Sequence, residues 1–151
     1  MLTYFLTRSA SAPPPSSVLF SKSHSQDLTV FFLDEENKQA QALGVDLEFK
    51  TTKLSPSSQR FFIQKNDYIP FKSPLIKWCI KEAAFKALSN LGAPVSKLLD
   101  VIVEEGHFHT KGWEDIKNQT AYKVIEDSHK ILVFCAIFKQ ESSKLIVSKR
   151  W

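Results

Sequence analysis

Residues 74–92 read Pro74-Leu75-Ile76-Lys77-Trp78-Cys79-Ile80-Lys81-Glu82-Ala83-Ala84-Phe85-Lys86-Ala87-Leu88-Ser89-Asn90-Leu91-Gly92. The stretch is rich in helix formers, and its apolar positions 80, 84, 87, 88 and 91 fall at helical spacing. Pro74 suits the first turn, where its missing N–H costs nothing, and Gly92 suits the stop just past the last turn. One long helix over about residues 75–91 is therefore predicted. Trp78 and Phe85 lie seven apart on one face of it and read as packing residues rather than a stacking platform.

Upstream, Ala42-Leu43-Gly44-Val45-Asp46-Leu47-Glu48-Phe49 reads as a strand. Alternation puts Val45, Leu47 and Phe49 on one face and Asp46 and Glu48 on the other. Leu28–Leu33 is β-branched and aromatic and reads as a strand; Val18-Leu19-Phe20 is a shorter one, and Ser23-His24-Ser25 lies between them as a Ser-rich turn. Asp34–Gln39 reads as a hairpin loop. Pro56–Phe62 suits a short helix opening at Ser55, and Pro70 and Pro74 bracket a turn. Downstream come a short helix over 95–99, a strand at Val101–Val103, and an antiparallel hairpin of 121–126 with 131–138 around Asp127-Ser128-His129. Residues 9–17 are a Pro/Ser linker or extended surface segment. The pattern predicts an α+β chain with small antiparallel sheets packed against the long helix.

The length of 151 residues suits one domain, or two small halves sharing a core. Hydrophobic residues at 43% and charged residues at 24% exclude wholesale disorder and suit a soluble globular chain. Lys+Arg 20 against Asp+Glu 16 gives +4, which favours an acidic partner or a phosphorylated ligand without demanding nucleic acid. No Arg-rich patch with interleaved aromatics points to RNA. Cys79 and Cys135 sit in apolar surroundings with no C-x-x-C pair and read as buried free thiols of a reducing compartment. No apolar run approaches the ~20 residues that span a bilayer, and the N-terminal stretch lacks the basic start of a secretory signal. A cytoplasmic protein with no membrane segment is expected.

Asp46 and Glu48, side by side on one strand face, repel each other, and burying them unpaired is costly. A hard divalent cation such as Mg²⁺ would answer that repulsion; a solvent-facing acidic pair is the plainer reading. Glu82 and Lys86 are one helical turn apart, and Lys77 and Lys81 form a second such pair on an adjacent strip. A surface salt bridge between Glu82 and Lys86 would be of small value. His24, flanked by Ser23 and Ser25, can donate to a phosphate or simply stand exposed. His107-Phe108-His109 puts two imidazoles on one strand face with no third ligand nearby, so exposed strand-end histidines are expected.

Taken in order, Phe20-Ser21-Lys22-Ser23-His24-Ser25, then Gly44-Val45-Asp46-Leu47-Glu48, then Trp78-Cys79-Ile80-Lys81-Glu82-Ala83-Ala84-Phe85-Lys86-Ala87 resembles the 4'-phosphopantetheinyl transferase superfamily, closest to the surfactin-synthetase-activating (Sfp-like) type. Arg60-Phe61-Phe62 and Val133-Phe134-Cys135-Ala136 look like further landmarks, and the resemblance runs from about Phe20 to about Phe138. It implies transfer of the phosphopantetheine arm of coenzyme A to a serine of an acyl or peptidyl carrier protein, with release of adenosine 3',5'-bisphosphate. It implies that Asp46, Glu48 and Glu82 bind Mg²⁺ together with the coenzyme A pyrophosphate, and that Lys86 holds a phosphate oxygen. Lys81 would assist near the pyrophosphate or leaving group. His24 would contact a coenzyme A phosphate, supported by Ser23, with Lys22 the adjacent cation. The resemblance implies that the general base is either an acidic residue after Arg60-Phe61-Phe62, of which Asp67 is the nearest, or a metal-bound water. The metal site is expected where the 44–49 strand meets the 75–91 helix.

Sfp-like members consist of two similar halves. Here 43 residues precede Gly44, which implies a shortened N-terminal half over 1–43 carrying the Ser-His-Ser element and a C-terminal half over 44–151 carrying the metal site. A second copy completing the site, and hence a homo-oligomer, is one consequence. A non-catalytic homologue that binds coenzyme A or a carrier protein is the alternative. The basic tail, Lys144, Lys149 and Arg150, reads as a solvated end that could meet an acidic carrier protein of fatty acid, polyketide or peptide synthesis.

Overall fold

A computed structural model describes residues 1–8, 14 and 17–150, so the Pro/Ser segment expected over 9–17 lies almost wholly outside the described residues. The predicted helix is α1 (Pro74–Leu91). Ser73 caps its start by accepting a hydrogen bond from the Ile76 N–H at 3.3 Å. At its end Gly92 adopts φ 94° and donates its N–H to the carbonyls of Leu88 and Ser89, a left-handed stop that suits a residue without Cβ.

The strands are β1 (Leu2–Thr7), β2 (Leu19–Ser25), β3 (Leu28–Asp34), β4 (Ala40–Phe49), β5 (Val101–Glu104), β6 (His107–Thr110), β7 (Thr120–Glu126), β8 (Lys130–Phe138) and β9 (Val147–Lys149). Short 3₁₀ turns cover Pro56–Phe61, Leu98–Asp100 and Glu114–Gln119. The architecture is α+β, with small sheets around one main helix. A central antiparallel sheet of order β4-β8-β7 separates two cores. On one face α1 buries Ile80, Ala83, Ala84, Ala87 and Leu88 against Val133, Cys135 and Ile137. On the other, the sheet of order β2-β3-β1-β9 buries Leu2, Val30 and Phe32 against Val45, Leu47 and Phe134. The Phe134 ring sits 4.8 Å from Tyr4 and 4.9 Å from Phe32, a cluster worth about 0.5–1.5 kcal/mol per ring pair beyond its buried area.

Alternation along β4 assigns the layers as the sequence predicts. Leu43, Val45 and Leu47 enter the core under the N-terminal sheet, with Phe49 packed at its margin. The other face turns to α1, which comes so close at Gly44 that an added Cβ would stand 1.9 Å from the Ala83 carbonyl oxygen and 2.7 Å from the Ala87 nitrogen. A side-chain-free position is what lets the helix lie flat on this strand.

Several expectations are corrected. Asp34–Gln39 is not a hairpin loop, because both edges of β3 are already paired, with β1 and β2, and β4 joins the other sheet. The loop instead carries the chain between layers, and Asp34 Oδ2 accepts from the N–H groups of Gln39 and Ala40, each at 2.9 Å. Ser23-His24-Ser25 is the end of β2 rather than a turn; the turn lies at Gln26, with φ 54°. Over 95–99 the chain forms no helix beyond the turn Leu98–Asp100. The basic side chains of the tail, Lys144, Lys149 and Arg150, are exposed as expected, and the tail is also tied down: β9 pairs in parallel with β1, and Arg150 pairs with Glu35 at 2.9 Å. The boundary expected at 43/44 falls inside β4, which begins at Ala40. His109 is buried, with Nε2 3.2 Å from Glu104 Oε1, while His107 Nδ1 lies 2.7 Å from the Thr120 carbonyl, so the two rings serve different partners. Cys79 and Cys135 are buried free thiols, as expected. Among the described residues no helix is long and apolar enough to cross a membrane.

Candidate functional site

A cleft of about 520 Å³ opens where β2, β4 and α1 meet. Helical spacing places Trp78, Glu82 and Lys86 along one stripe of α1, four residues apart, and all three line the cleft. From β4 come Asp46 and Glu48, two apart on the face turned to the helix. From β2 come Lys22, Ser23 and His24, and from the cross-strand partners of Lys22 and His24 on β3 come Phe31 and Thr29.

Asp46 lies deepest. Its side chain is 8% exposed. Ser23 Oγ accepts the Leu47 N–H at 3.1 Å and donates to Asp46 Oδ1 at 3.3 Å, which ties β2 to β4. Among the described residues Asp46 Oδ2 has no hydrogen-bond partner. Lys86 Nζ stands 3.8 Å from Asp46 Oδ1 and donates to the Val45 carbonyl at 2.9 Å and the Lys22 carbonyl at 3.3 Å. The helix pair expected between Glu82 and Lys86 thus gives way to a contact across elements. Burial pushes the Asp46 carboxyl up to about 7; Lys86 opposes this, and Glu48 and Glu82 add to it by like-charge repulsion. Burial likewise raises Glu48, opposed first by its hydrogen bond from Thr52, and Glu82, opposed by Lys86. Burial pushes the Cys79 thiol up, and the Asp46 carboxylate adds to that shift.

The donor set fits a hard divalent cation. Three carboxylates face one cleft, each made more proton-loving by burial, and a buried Asp46 oxygen lacks a partner. Among the described residues no group of three His, Cys, Asp or Glu side chains is already closed around one point. Glu48 and Glu82 are half-buried.

Lys81 and Asp67 are brought together, but away from the cleft. Lys81 precedes Glu82 by one residue, about 100° round the helix, and so faces β5. Its ammonium contacts Asp67 Oδ2 at 2.7 Å and donates to the Val101 carbonyl, with side-chain exposures of 0% and 1%. Asp67 also accepts the N–H of Val103 at 2.8 Å and of Gln64 at 2.9 Å. Burial holds Lys81 below the ordinary lysine range, with Asp67 opposing. The expectations of Lys81 at the pyrophosphate and Asp67 as general base are not met by this geometry, since neither lines the cleft.

Trp78, Thr29 and Phe31 are cleft residues that the sequence reading did not assign. Trp78 has a signal, its position one turn before Glu82; it also packs edge-on against Phe62 at 5.3 Å. Thr29 and Phe31 become visible only once the β2–β3 register is known. No protein-family model matches the chain, and no curated protein matches it.

Proposed function

We propose that the chain is an Mg²⁺-dependent 4'-phosphopantetheinyl transferase of phosphopantetheinyl-transferase-like fold, acting on an acyl or peptidyl carrier protein in the cytoplasm. The observation that carries this reading is convergence. Segments at 22–24, 46–48 and 78–86, which resemble the family's motifs one by one, line a single cleft. Independent surface residues would have no reason to meet there.

In this reading Asp46, Glu48 and Glu82 hold the metal, which, when bound, neutralises the pyrophosphate and the charge developing on the transferred phosphoryl group. Ser23 fixes the Asp46 carboxylate by hydrogen bonding. Lys86, beside Asp46, and Lys22 and His24 on β2 supply donors for phosphate oxygens. Trp78 and Phe31 wall the cleft and exclude water. The carrier serine oxygen forms a bond to the phosphorus that bears pantetheine, and the bond from that phosphorus to the oxygen of adenosine 3',5'-bisphosphate breaks. The serine proton passes to water in the cleft or to a cleft carboxylate and not to Asp67, which is engaged by Lys81 outside the cleft.

A second reading, binding of coenzyme A or a carrier protein without transfer, is favoured by one observation: Lys81 and Asp67 satisfy each other and are withdrawn from chemistry. Calorimetry with coenzyme A tests the site common to both. Wild type is expected to bind in an Mg²⁺-dependent manner, and Glu82→Gln to lose that dependence. Unchanged Mg²⁺-dependent binding by Glu82→Gln would remove Glu82 from the site.

A further inference from the structure

Lys86 occupies an unusual place for a group awaiting a phosphate. Its ammonium is already engaged, by the carbonyls of Val45 on β4 and Lys22 on β2, and it stands 3.8 Å from Asp46 Oδ1. Less than a third of the side chain is exposed, at 31%. Asp46, Glu48 and Glu82 line the same cleft as this ammonium, and among the described residues Asp46 Oδ2 is left without a hydrogen-bond partner.

We infer that Lys86 is the resident counter-ion of the cleft, a built-in cation that a divalent metal displaces. In the metal-free protein its ammonium offsets Asp46 and pins β2 to β4. When the metal takes over Asp46, Lys86 is released and its donors become free for the phosphates of the ligand. The inference rests on the reading of Asp46, Glu48 and Glu82 as metal ligands.

The physical argument is repulsion at short range. A dication on Asp46 would lie within a few ångströms of the ammonium, where like charges repel strongly in a partly buried site. Lys86 is held by two neutral carbonyls on a flexible four-carbon stem, so turning away breaks little. Coupling is reciprocal: if the metal loosens Lys86, removing Lys86 must tighten the metal. A fixed phosphate hook, indifferent to the metal, would show no such coupling.

The test is Mn²⁺ titration by calorimetry, without coenzyme A, on wild type, Lys86→Met and Lys86→Arg, with thermal melts in EDTA and in saturating Mn²⁺. Lys86→Met is expected to bind Mn²⁺ about tenfold more tightly than wild type. Lys86→Arg, which keeps the charge, is expected to stay within about twofold of wild type. The lower melting temperature of Lys86→Met in EDTA should largely vanish in Mn²⁺, because the metal replaces the lost tether. Mn²⁺ binding by wild type with equal or weaker binding by Lys86→Met would overturn the inference alone. If Lys86→Met does not fold without metal, the Lys86→Arg titration and a Lys86→Gln variant carry the same comparison. No Mn²⁺ binding by any of them would overturn the metal reading of the cleft as well.

Discussion

Asp46 carries a cost that its neighbours only partly offset. Its carboxyl is raised by burial from 3.8 to about 7, and one oxygen has no partner. Because the folded state holds the proton more tightly than the unfolded chain, this group's contribution is fully present below about pH 4 and is lost as pH rises through about 7. In EDTA, stability should therefore decline across that window, and Asp46→Asn should flatten the decline and gain on the order of 3 kcal/mol at pH 8. Urea unfolding at a series of pH values reads this directly; a decline that persists in Asp46→Asn would contradict it. Lys81 presents the opposite case, a buried charge fully satisfied by Asp67. Lys81→Met leaves Asp67 buried and unpaired and should cost about 3–5 kcal/mol. Lys81→Met with Asp67→Asn should recover part of the loss and leave coenzyme A binding near wild type, as fits a pair outside the cleft. Loss of binding by a folded double variant would return Lys81 to the site. Its position was legible in principle: the residue before Glu82 cannot share Glu82's face of a helix.

At the scale of elements, legibility followed hydrophobic pattern. α1 was readable end to end because Pro74, Gly92 and the apolar spacing agree. The β7–β8 pairing was readable because both strands are apolar runs around a short polar turn. β2 was readable only at its start, Leu19-Phe20, because its later inward positions, Ser21 and Ser23, are buried hydroxyls rather than apolar side chains, and its outward Lys22 and His24 complete a polar run that mimics a loop. The unread end of the strand is the part that brings His24 to the cleft. The approach of α1 to β4 rests on Gly44, which the sequence presents only as a motif position. Gly44→Ala would press a methyl group against backbone atoms of Ala83 and Ala87, which cannot turn aside. The helix must then lift from the strand, at a cost of about 3 kcal/mol. Chemical denaturation should show that loss together with weakened Mn²⁺ binding, since Asp46 and Glu82 separate when the two elements part. A stable Gly44→Ala protein with wild-type metal binding would mean that the contact does not hold the site together.

Across the whole molecule, the α+β class was readable, but the layering was not. The central sheet is covered by α1 on one side and by the N-terminal sheet on the other, and the chain's last strand returns to pair with its first. Nothing local in the polar, three-residue β9 or in the Asp34–Gln39 crossing signals those long-range pairings, whose closure is a property of the assembled core. The cleft inherits this dependence, because Lys22, Ser23 and His24 precede the crossing in the chain, whereas Asp46, Glu48, Glu82 and Lys86 follow it. We propose that this cleft performs phosphopantetheine transfer. Its most direct test is the intact mass of an apo acyl or peptidyl carrier protein after incubation with the chain, coenzyme A and Mg²⁺. The account predicts a gain equal to one phosphopantetheine arm on the carrier serine, abolished by EDTA and by Glu82→Gln. An unchanged mass across carrier proteins of several classes, from a protein that binds neither coenzyme A nor Mg²⁺, would contradict it.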